Sequence, residues 1–459
     1  MDDLAEGLVK NFSLKGYGVA CLEKEGRAPD DFEVAHCIPG DRIRFEMTRK
    51  RRPPKKGRLL EILSPSPDRI EPRCSHARTC GGCCWQQMSY SAQLAQKKER
   101  VEKAFQGHPA EPIIPCDSPW EYRNKMEFTF SENRAGTRFL GLMIAQAEPY
   151  VFNVTECHLT SPWFVHVLNA VRDWWENSGL KAYHPPADSG TLRYLTVREG
   201  IRTKQKMAIL NVSGNPDFAP TRTQLNAFVE AVQSALGPNE PISLFLRVHQ
   251  AKKGKPTQFF EMHLAGTDHI VEELHLKDRK LSFKISPISF FQPNTLQAEK
   301  LYDAALDLLK DCSLVYDLYC GTGTLGMGLS HRVKEVIGIE LSPEAVIDAQ
   351  ENLVRNGIKN MSVRQGDVGQ VLTQLMAEPH FTRPDAVIVD PPRAGLDPLA
   401  LHHLKTLLPK KIVYISCNPL TQAENVKELL KSGYRIQRLQ PIDQFPHTYH
   451  IENICFLER

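Results

Sequence analysis

Cys74, Cys80, Cys83 and Cys84 fall within eleven residues of a 459-residue chain that holds 12 cysteines in all. That is too few thiols for a disulfide scaffold, and their bunching asks for a metal before it asks for disulfides. Five residues separate Cys74 from Cys80 and two separate Cys80 from Cys83. By ligand type alone, zinc and an iron–sulfur cluster are both open. A second constellation lies in the last third. Asp317-Leu318-Tyr319-Cys320-Gly321-Thr322-Gly323-Thr324-Leu325-Gly326 follows an apolar run and satisfies G-x-G-x-x-G, with Glu340 ending the next such run. Such glycines let backbone approach a ligand closely, and the acid can accept hydrogen bonds from both ribose hydroxyls. The pattern points to a nucleoside cofactor. A nicotinamide dinucleotide and S-adenosylmethionine both fit it.

Further on, Val387-Ile388-Val389-Asp390-Pro391-Pro392-Arg393 sets a carboxylate at a strand end before a rigid turn. Ligands of open α/β sheets bind outside such ends. Ile412-Val413-Tyr414-Ile415-Ser416-Cys417-Asn418-Pro419 puts a thiol at the following strand end. A lone cysteine is usually a small hydrophobe, but beside a cofactor site it becomes a candidate nucleophile. Phe445-Pro446-His447-Thr448-Tyr449-His450-Ile451-Glu452 gathers two histidines and an acid. His-x-x-His is a weak metal signal, and Glu452 serves better as a proton acceptor.

Those residues need elements to position them. Apolar runs at 314–319, 335–339, 361–364, 386–389 and 411–416 alternate with helical patterns. This predicts βαβ units and a parallel sheet covered on both faces. Residues 295–310 read as a helix with Asn294 as its N-cap. From 118 to 285 the pattern favours strands (125–130, 192–198, 207–212 and 243–248), interrupted by one helical stretch near 162–177. A helix is expected at 91–105. Residues 1–66 have the rhythm of a small β-barrel, with a closing strand near 59–63 and a Ser64-Pro65-Ser66-Pro67 linker. Between residues 42 and 58, Arg42, Arg44, Arg49, Lys50, Arg51, Arg52, Lys55, Lys56 and Arg58 stand against one acid, Glu46. The run is either a solvated loop or a phosphate-binding patch.

Hydrophobic residues at 41% and charged residues at 24% exclude a mostly disordered chain. No apolar run approaches the roughly 18 residues of a membrane span. Met1-Asp2-Asp3-Leu4-Ala5-Glu6 lacks the layout of a signal peptide, so a cytoplasmic protein is expected. The net charge of +3 excludes nothing by itself.

The motifs together resemble the S-adenosylmethionine-dependent RNA 5-methyluridine methyltransferase family over nearly the whole chain. The most specific pieces are Ser416-Cys417-Asn418-Pro419, Phe445-Pro446-His447-Thr448 with His450 and Glu452, and Cys80-Gly81-Gly82-Cys83. The resemblance implies an α/β architecture in four parts. These are a TRAM-type, OB-like barrel (1–66), a cysteine-cluster segment (67–117), a central α+β RNA-binding domain (118–285) and a doubly wound, Rossmann-like methyltransferase domain (286–459). It implies Cys417 as nucleophile and Glu452 as base. Cofactor contacts would come from Gln292, Tyr319, Thr324, Glu340, Asp367 and Asp390, and a 4Fe-4S cluster would be held by Cys74, Cys80, Cys83 and the distant Cys157. Gln87 stands where the family usually has His, and Thr324 where some relatives have Asn. The sequence is most similar to the members that methylate 23S rRNA, since tRNA-modifying members typically lack the barrel and the cluster. A monomer acting on RNA without a membrane is expected.

Carbon 5 of uracil is a poor nucleophile even toward a sulfonium methyl group. Thiolate addition at carbon 6 makes it carbanion-like, and a carboxylate must later remove its hydrogen. The base must also leave folded RNA to be reached. Two other classes compete. Radical methylthiotransferases also pair TRAM barrels with iron–sulfur clusters, but they use C-x3-C-x2-C rather than a first gap of five. A non-catalytic RNA-binding protein would explain the basic run but not Cys417 and Glu452.

Overall fold

Three β layers divide the chain in the computed structural model, which describes residues 4–24, 27–48, 54–147, 149–237, 239–250 and 257–459. The first is a closed barrel of β1 (Leu4–Phe12), β2 (Gly18–Lys24), β3 (Arg27–Val34), β4 (Arg42–Met47) and β5 (Lys55–Ser64), in the order β1-β2-β3-β5-β4. Closure removes the exposed edges. Val9, Ala20, Phe32, Val34, Ile43 and Phe45 fill its core. Gly57 is required there, because a Cβ would stand 2.5 Å from the Phe45 ring. Much of the described basic run is paired. Arg44 bridges Glu6 and Glu61, Arg58 pairs with Glu46, and Lys55 pairs with Asp30. Arg49, Lys50, Arg51 and Arg52 lie outside the described residues.

Helix α1 (Tyr90–Ala104) follows the cysteine segment, capped by Ser89. The second sheet then forms from β6 (Lys125–Glu132), β7 (Arg138–Met143), β8 (Val151–Asn153), β9 (Leu192–Glu199), β10 (Lys206–Ser213), β11 (Ile242–Gln250) and β12 (Gln258–Ala265). Their order is β12-β11-β10-β9-β6-β7-β8. One face is covered by α2 (Trp163–Ser178) and α3 (Arg222–Leu236), whose Val167, Val171, Trp175 and Phe228 are buried against it. The single helix expected in this region is therefore corrected to two. Thr221 and Gln224 close a reciprocal capping box at the start of α3, a signal present in the sequence. The hairpin β13 (Ile270–His275) and β14 (Lys280–Ile285) stands apart from this sheet, and its Leu274, Leu281 and Phe283 join the core of the third layer.

The third layer contains α4 (Thr295–Leu306), β15 (Leu314–Leu318), α5 (Thr324–Leu329), β16 (Glu335–Glu340), α6 (Pro343–Arg355), β17 (Met361–Gln365), α7 (Val368–Ala377), β18 (Ala386–Val389), α8 (Pro398–Leu407), β19 (Lys411–Ser416), α9 (Pro419–Leu430), β20 (Arg435–Ile442) and β21 (Glu452–Glu458). Strand order is β17-β16-β15-β18-β19-β21-β20, parallel through β19 and antiparallel at β21. Successive residues alternate between two cores. Val315, Ile388 and Val413 face Leu301 of α4 and Ala349 of α6, whereas Tyr316, Val387 and Ile412 face Leu372, Leu404 and Val426 of α7, α8 and α9. A sheet buried on both faces must have apolar strands throughout, which is how these runs read. The chain reverses direction across the sheet between β15 and β18, so a crevice opens at the carboxyl ends of the central strands. Among the described residues, no helix is long and apolar enough to cross a membrane.

Candidate active site

The glycine loop leaves β15 into that crevice. Tyr319, Gly321 and Gly323 all have left-handed backbone, at φ of 61°, 55° and 83°. The turn is held by two acids, the buried Asp317 and the half-buried Glu340. Gly326 N–H donates to Asp317 Oδ2 at 2.8 Å, and Gly321 N–H donates to Glu340 Oε2 at 2.9 Å. Ser342 N–H donates to the other oxygen of Glu340 at 2.8 Å, so two backbone groups fix that carboxylate's plane. Tyr319 donates its hydroxyl to Asp397 at 3.0 Å, and Thr324 contacts the Tyr302 hydroxyl at 3.4 Å. Asp367 caps α7 just past the end of β17. Gln292 lies buried in the strap before α4, where its Oε1 accepts from Gln444 at 3.4 Å.

Asp390 ends β18, and burial pushes its carboxyl up to about 7. Burial also raises Asp317 to about 7, with Asp390 and Glu340 adding repulsion, and Asp317 Oδ1 has no hydrogen-bond partner. Cys417 follows β19 and Glu452 opens β21, whose antiparallel register sets Ser416 opposite Asn453. The nucleophile and base candidates are thus neighbours at one sheet end. Burial raises the Cys417 thiol to about 11; Glu452 pushes it the same way, and Arg393 pulls it down. Glu452 is 5% exposed and sits well above the usual carboxylate range, through burial first and Asp390 second, with Arg393 opposing.

The comparisons with known proteins fit this arrangement. The model of the family described as tRNA (uracil-5-)-methyltransferase matches residues 261–459. An RNA methyltransferase of Protochlamydia amoebophila is 48% identical, covering 93% of this chain and 99% of its own. The chain belongs to this RNA (uracil-5-)-methyltransferase family. A second RNA methyltransferase, from Caldanaerobacter subterraneus, is 33% identical over 98% of both chains. The solved tRNA (uracil-54, C5)-methyltransferase of Pyrococcus abyssi, in complex with S-adenosyl-L-homocysteine, matches with a TM-score of 0.72. It is 25% identical over 99% of this chain and 100% of its own.

In this methyltransferase, Arg393 has no part that its sequence pattern assigns, though it stands in the quoted Asp-Pro-Pro-Arg run. Its role is visible only because Asn418 and Thr421 both donate to its carbonyl, which ties the Pro-Pro turn to the Cys417 turn. Asp317 is likewise visible only once the loop has folded over it. Replacing Arg393 with Gln should raise the Cys417 pKa further, since the group that favours thiolate is gone. Alkylation of Cys417 by iodoacetamide should then slow several-fold at pH 8, and the acid limb of kcat/KM should move to higher pH. An unchanged alkylation profile would separate Arg393 from thiol activation.

The histidines do not form a metal pair. His447 stacks on Trp120 at 3.9 Å and is bound by Gln93 at Nδ1. Cys74, Cys80, Cys83 and Cys157 line one pocket, walled by Met126, Leu142, Phe152 and Val154, and Cys84 is outside it. All four are free thiols. Among the described residues, no group of three or more His, Cys, Asp or Glu is arranged to hold a metal ion. The four cysteines nevertheless share one pocket, and thiols are the donor type that iron–sulfur clusters take. Four soft ligands surround one space, Gly82 N–H donates to Cys80 Sγ at 3.3 Å, and a Cβ on Gly82 would stand 3.4 Å from that sulfur.

Proposed function

We propose that this methyltransferase carries the methyl group of S-adenosylmethionine to carbon 5 of a uridine in 23S rRNA. The observation that carries the reading is the pairing of Cys417 with Glu452 across β19 and β21, with Asp390 and Arg393 alongside. Asp317, Glu340 and Asp390 crowd the crevice with carboxylate oxygens, which favours a sulfonium cation over a dinucleotide's anionic diphosphate. Glu340 would take the ribose hydroxyls. Gln292, Tyr319, Thr324, Asp367 and Asp390 would complete the pocket.

Cys417 thiolate adds to carbon 6, and the displaced π electrons pass into the ring as an enolate. Carbon 5 then takes the methyl group, and S-adenosylhomocysteine departs. Glu452 accepts the hydrogen of carbon 5 as a proton, the enolate re-forms, and the C6–S bond breaks to return the thiolate. A base whose pKa is raised by burial accepts that proton more readily once ionised. Cys74, Cys80, Cys83 and Cys157 would hold the 4Fe-4S cluster in a structural role.

One observation favours tRNA instead. The Pyrococcus abyssi tRNA enzyme aligns over its entire length with 99% of this chain, barrel included, so the barrel does not separate the two substrates. Mapping 5-methyluridine across total RNA from cells lacking this protein decides. A site lost from 23S rRNA supports the proposal, and a site lost only from tRNA replaces it.

Arg49, Lys50, Arg51 and Arg52 are assigned to RNA affinity rather than catalysis. Replacing all four with Ala should weaken RNA binding and reduce the slope of log K against log salt, by roughly 0.7–0.9 for each phosphate no longer neutralised. The rate at saturating RNA should not change. An unaltered slope would leave the run a solvated loop.

A further inference from the structure

The base candidate hangs from a loop, residues 443–451, that joins β20 to β21. Asn294 holds Gln444 of that loop, while Asp443, Phe445, Pro446 and His447 are anchored from the first third of the sequence. Lys97 and Asp443 form an ion pair at 2.5 Å with both side chains 0% exposed. The same ammonium donates to the Phe445 carbonyl at 2.9 Å. Tyr90 donates to the second Asp443 oxygen at 2.7 Å and itself accepts from Cys116 N–H. Gln93 grips His447 twice, accepting from its backbone N–H at 2.9 Å and meeting its Nδ1 at 3.3 Å. Gln93 is in turn held by its donations to the Trp85 and Met88 carbonyls. Tyr122 donates to the Pro446 carbonyl, and Trp85 N–H donates to the His447 carbonyl.

His447 has a left-handed backbone, φ 65°. A non-glycine residue keeps that conformation only when its surroundings over-determine it, and these contacts do so. Apart from Asn294, these anchors lie between residues 85 and 122, directly after the clustered cysteines.

We propose that Lys97 and Gln93 are positioning residues for the methylation reaction, fixing the 443–451 loop so that Glu452 meets carbon 5 of the uridine. The cysteine segment and α1 are then part of the catalytic module and not only the carrier of the clustered cysteines. The inference rests on Glu452 being the base. A buried ammonium with two oxygen partners sets direction as well as charge, so its loss lets the loop relax and the carboxylate drift.

The test is Lys97→Met in the full chain, with Lys98→Met on the same helix as the neutral control. Among the described residues, Lys98 pairs with Glu102 alone, on the helix surface. In Lys97→Met, kcat should fall by about ten- to a hundredfold, the scale on which a small misplacement of a reacting group acts. KM for S-adenosylmethionine should stay within about twofold, because Gln444, where the loop meets the strap that carries Gln292, is held by its two bonds with Asn294 and not by Lys97. A protein–RNA adduct carrying the methyl label should accumulate, as in Glu452→Gln, because the step that fails is removal of the proton. Should Lys97→Met fail to fold, Gln93→Leu is judged by the same readouts. Wild-type kcat, or a fall in kcat with no adduct while Glu452→Gln does trap one, overturns the proposal. If Glu452→Gln turns over normally, the base assignment falls. Positioning is then judged on the kcat-against-KM split alone, where an equal loss of cofactor binding counts against it.

Discussion

Glu452→Gln should trap a covalent protein–RNA adduct that carries the methyl label, while Cys417→Ala should form neither adduct nor methylated RNA. The two side chains sit on neighbouring strands at one sheet end, yet their proposed roles fall on opposite sides of methyl transfer. Gln keeps the size of Glu452 and much of its hydrogen bonding but accepts no proton. Addition of Cys417 and transfer of the methyl group should therefore proceed and elimination should stall. Turnover is expected to drop by about 10²–10⁴, the usual worth of a positioned general base. The adduct should survive denaturing electrophoresis, because a C–S bond holds it. Removal of Cys417 leaves carbon 5 unactivated, so methylation should fall below detection. Full turnover by Glu452→Gln, or a labelled adduct without Cys417, would reverse the assignment.

The environment of Glu452 makes this pair informative. Burial and Asp390 hold its carboxyl well above the usual carboxylate range. Arg393 is the nearby group that opposes this, and it also favours the Cys417 thiolate. One guanidinium therefore biases both reacting groups toward their working, ionised forms. Sequence alone does not show this, because Arg393 reaches them only after three strand ends have been brought together.

Where the sequence was legible, local patterns sufficed. The runs at β15, β16, β17, β18 and β19 are apolar because both faces of the sheet are buried, and Asn294 caps α4 by accepting from Gln297 N–H. The glycine loop and Glu340 come together as their spacing implied, since only the short helix α5 and strand β16 separate them. Contacts made across the chain were not legible. The bonds from Tyr90, Lys97 and Gln93 to the loop before Glu452 span 353, 346 and 354 residues. Hydrophobic periodicity carries no record of such pairs. The β13–β14 hairpin reads as part of the strand-rich centre yet packs with the third layer, for the same reason: Phe283 finds its partners through tertiary packing. Arg44 shows the converse, a charge that reads as free for phosphate but is paired with Glu6 and Glu61 on adjacent strands.

Anaerobically purified protein should be brown and carry about four iron atoms per chain, as one thiolate-bound 4Fe-4S cluster would. Cys80→Ala and Cys157→Ala should lose the iron, and Cys84→Ala should keep it. Cys84 lies outside the pocket that the other four cysteines line, packed near Trp85, Met88 and Tyr449. Cys83 and Cys157 pack with Trp120, Tyr122 and Leu159, so a cluster there would tie residues 74–84 to the start of the second sheet. Loss of a ligand should therefore lower the melting temperature. A cost of a few kcal/mol would lower it by ~10 °C, at roughly 2–4 °C per kcal/mol for a unit of 150–250 residues. Tryptic cutting should begin near residues 74–122 before the third layer is touched. The damage should also reach catalysis, because Trp120 and Tyr122 hold His447 and Pro446 in the loop that carries Glu452. Stoichiometric zinc with no iron after anaerobic preparation would replace the cluster with a single ion. Iron retained in Cys157→Ala would remove that residue from the ligand set.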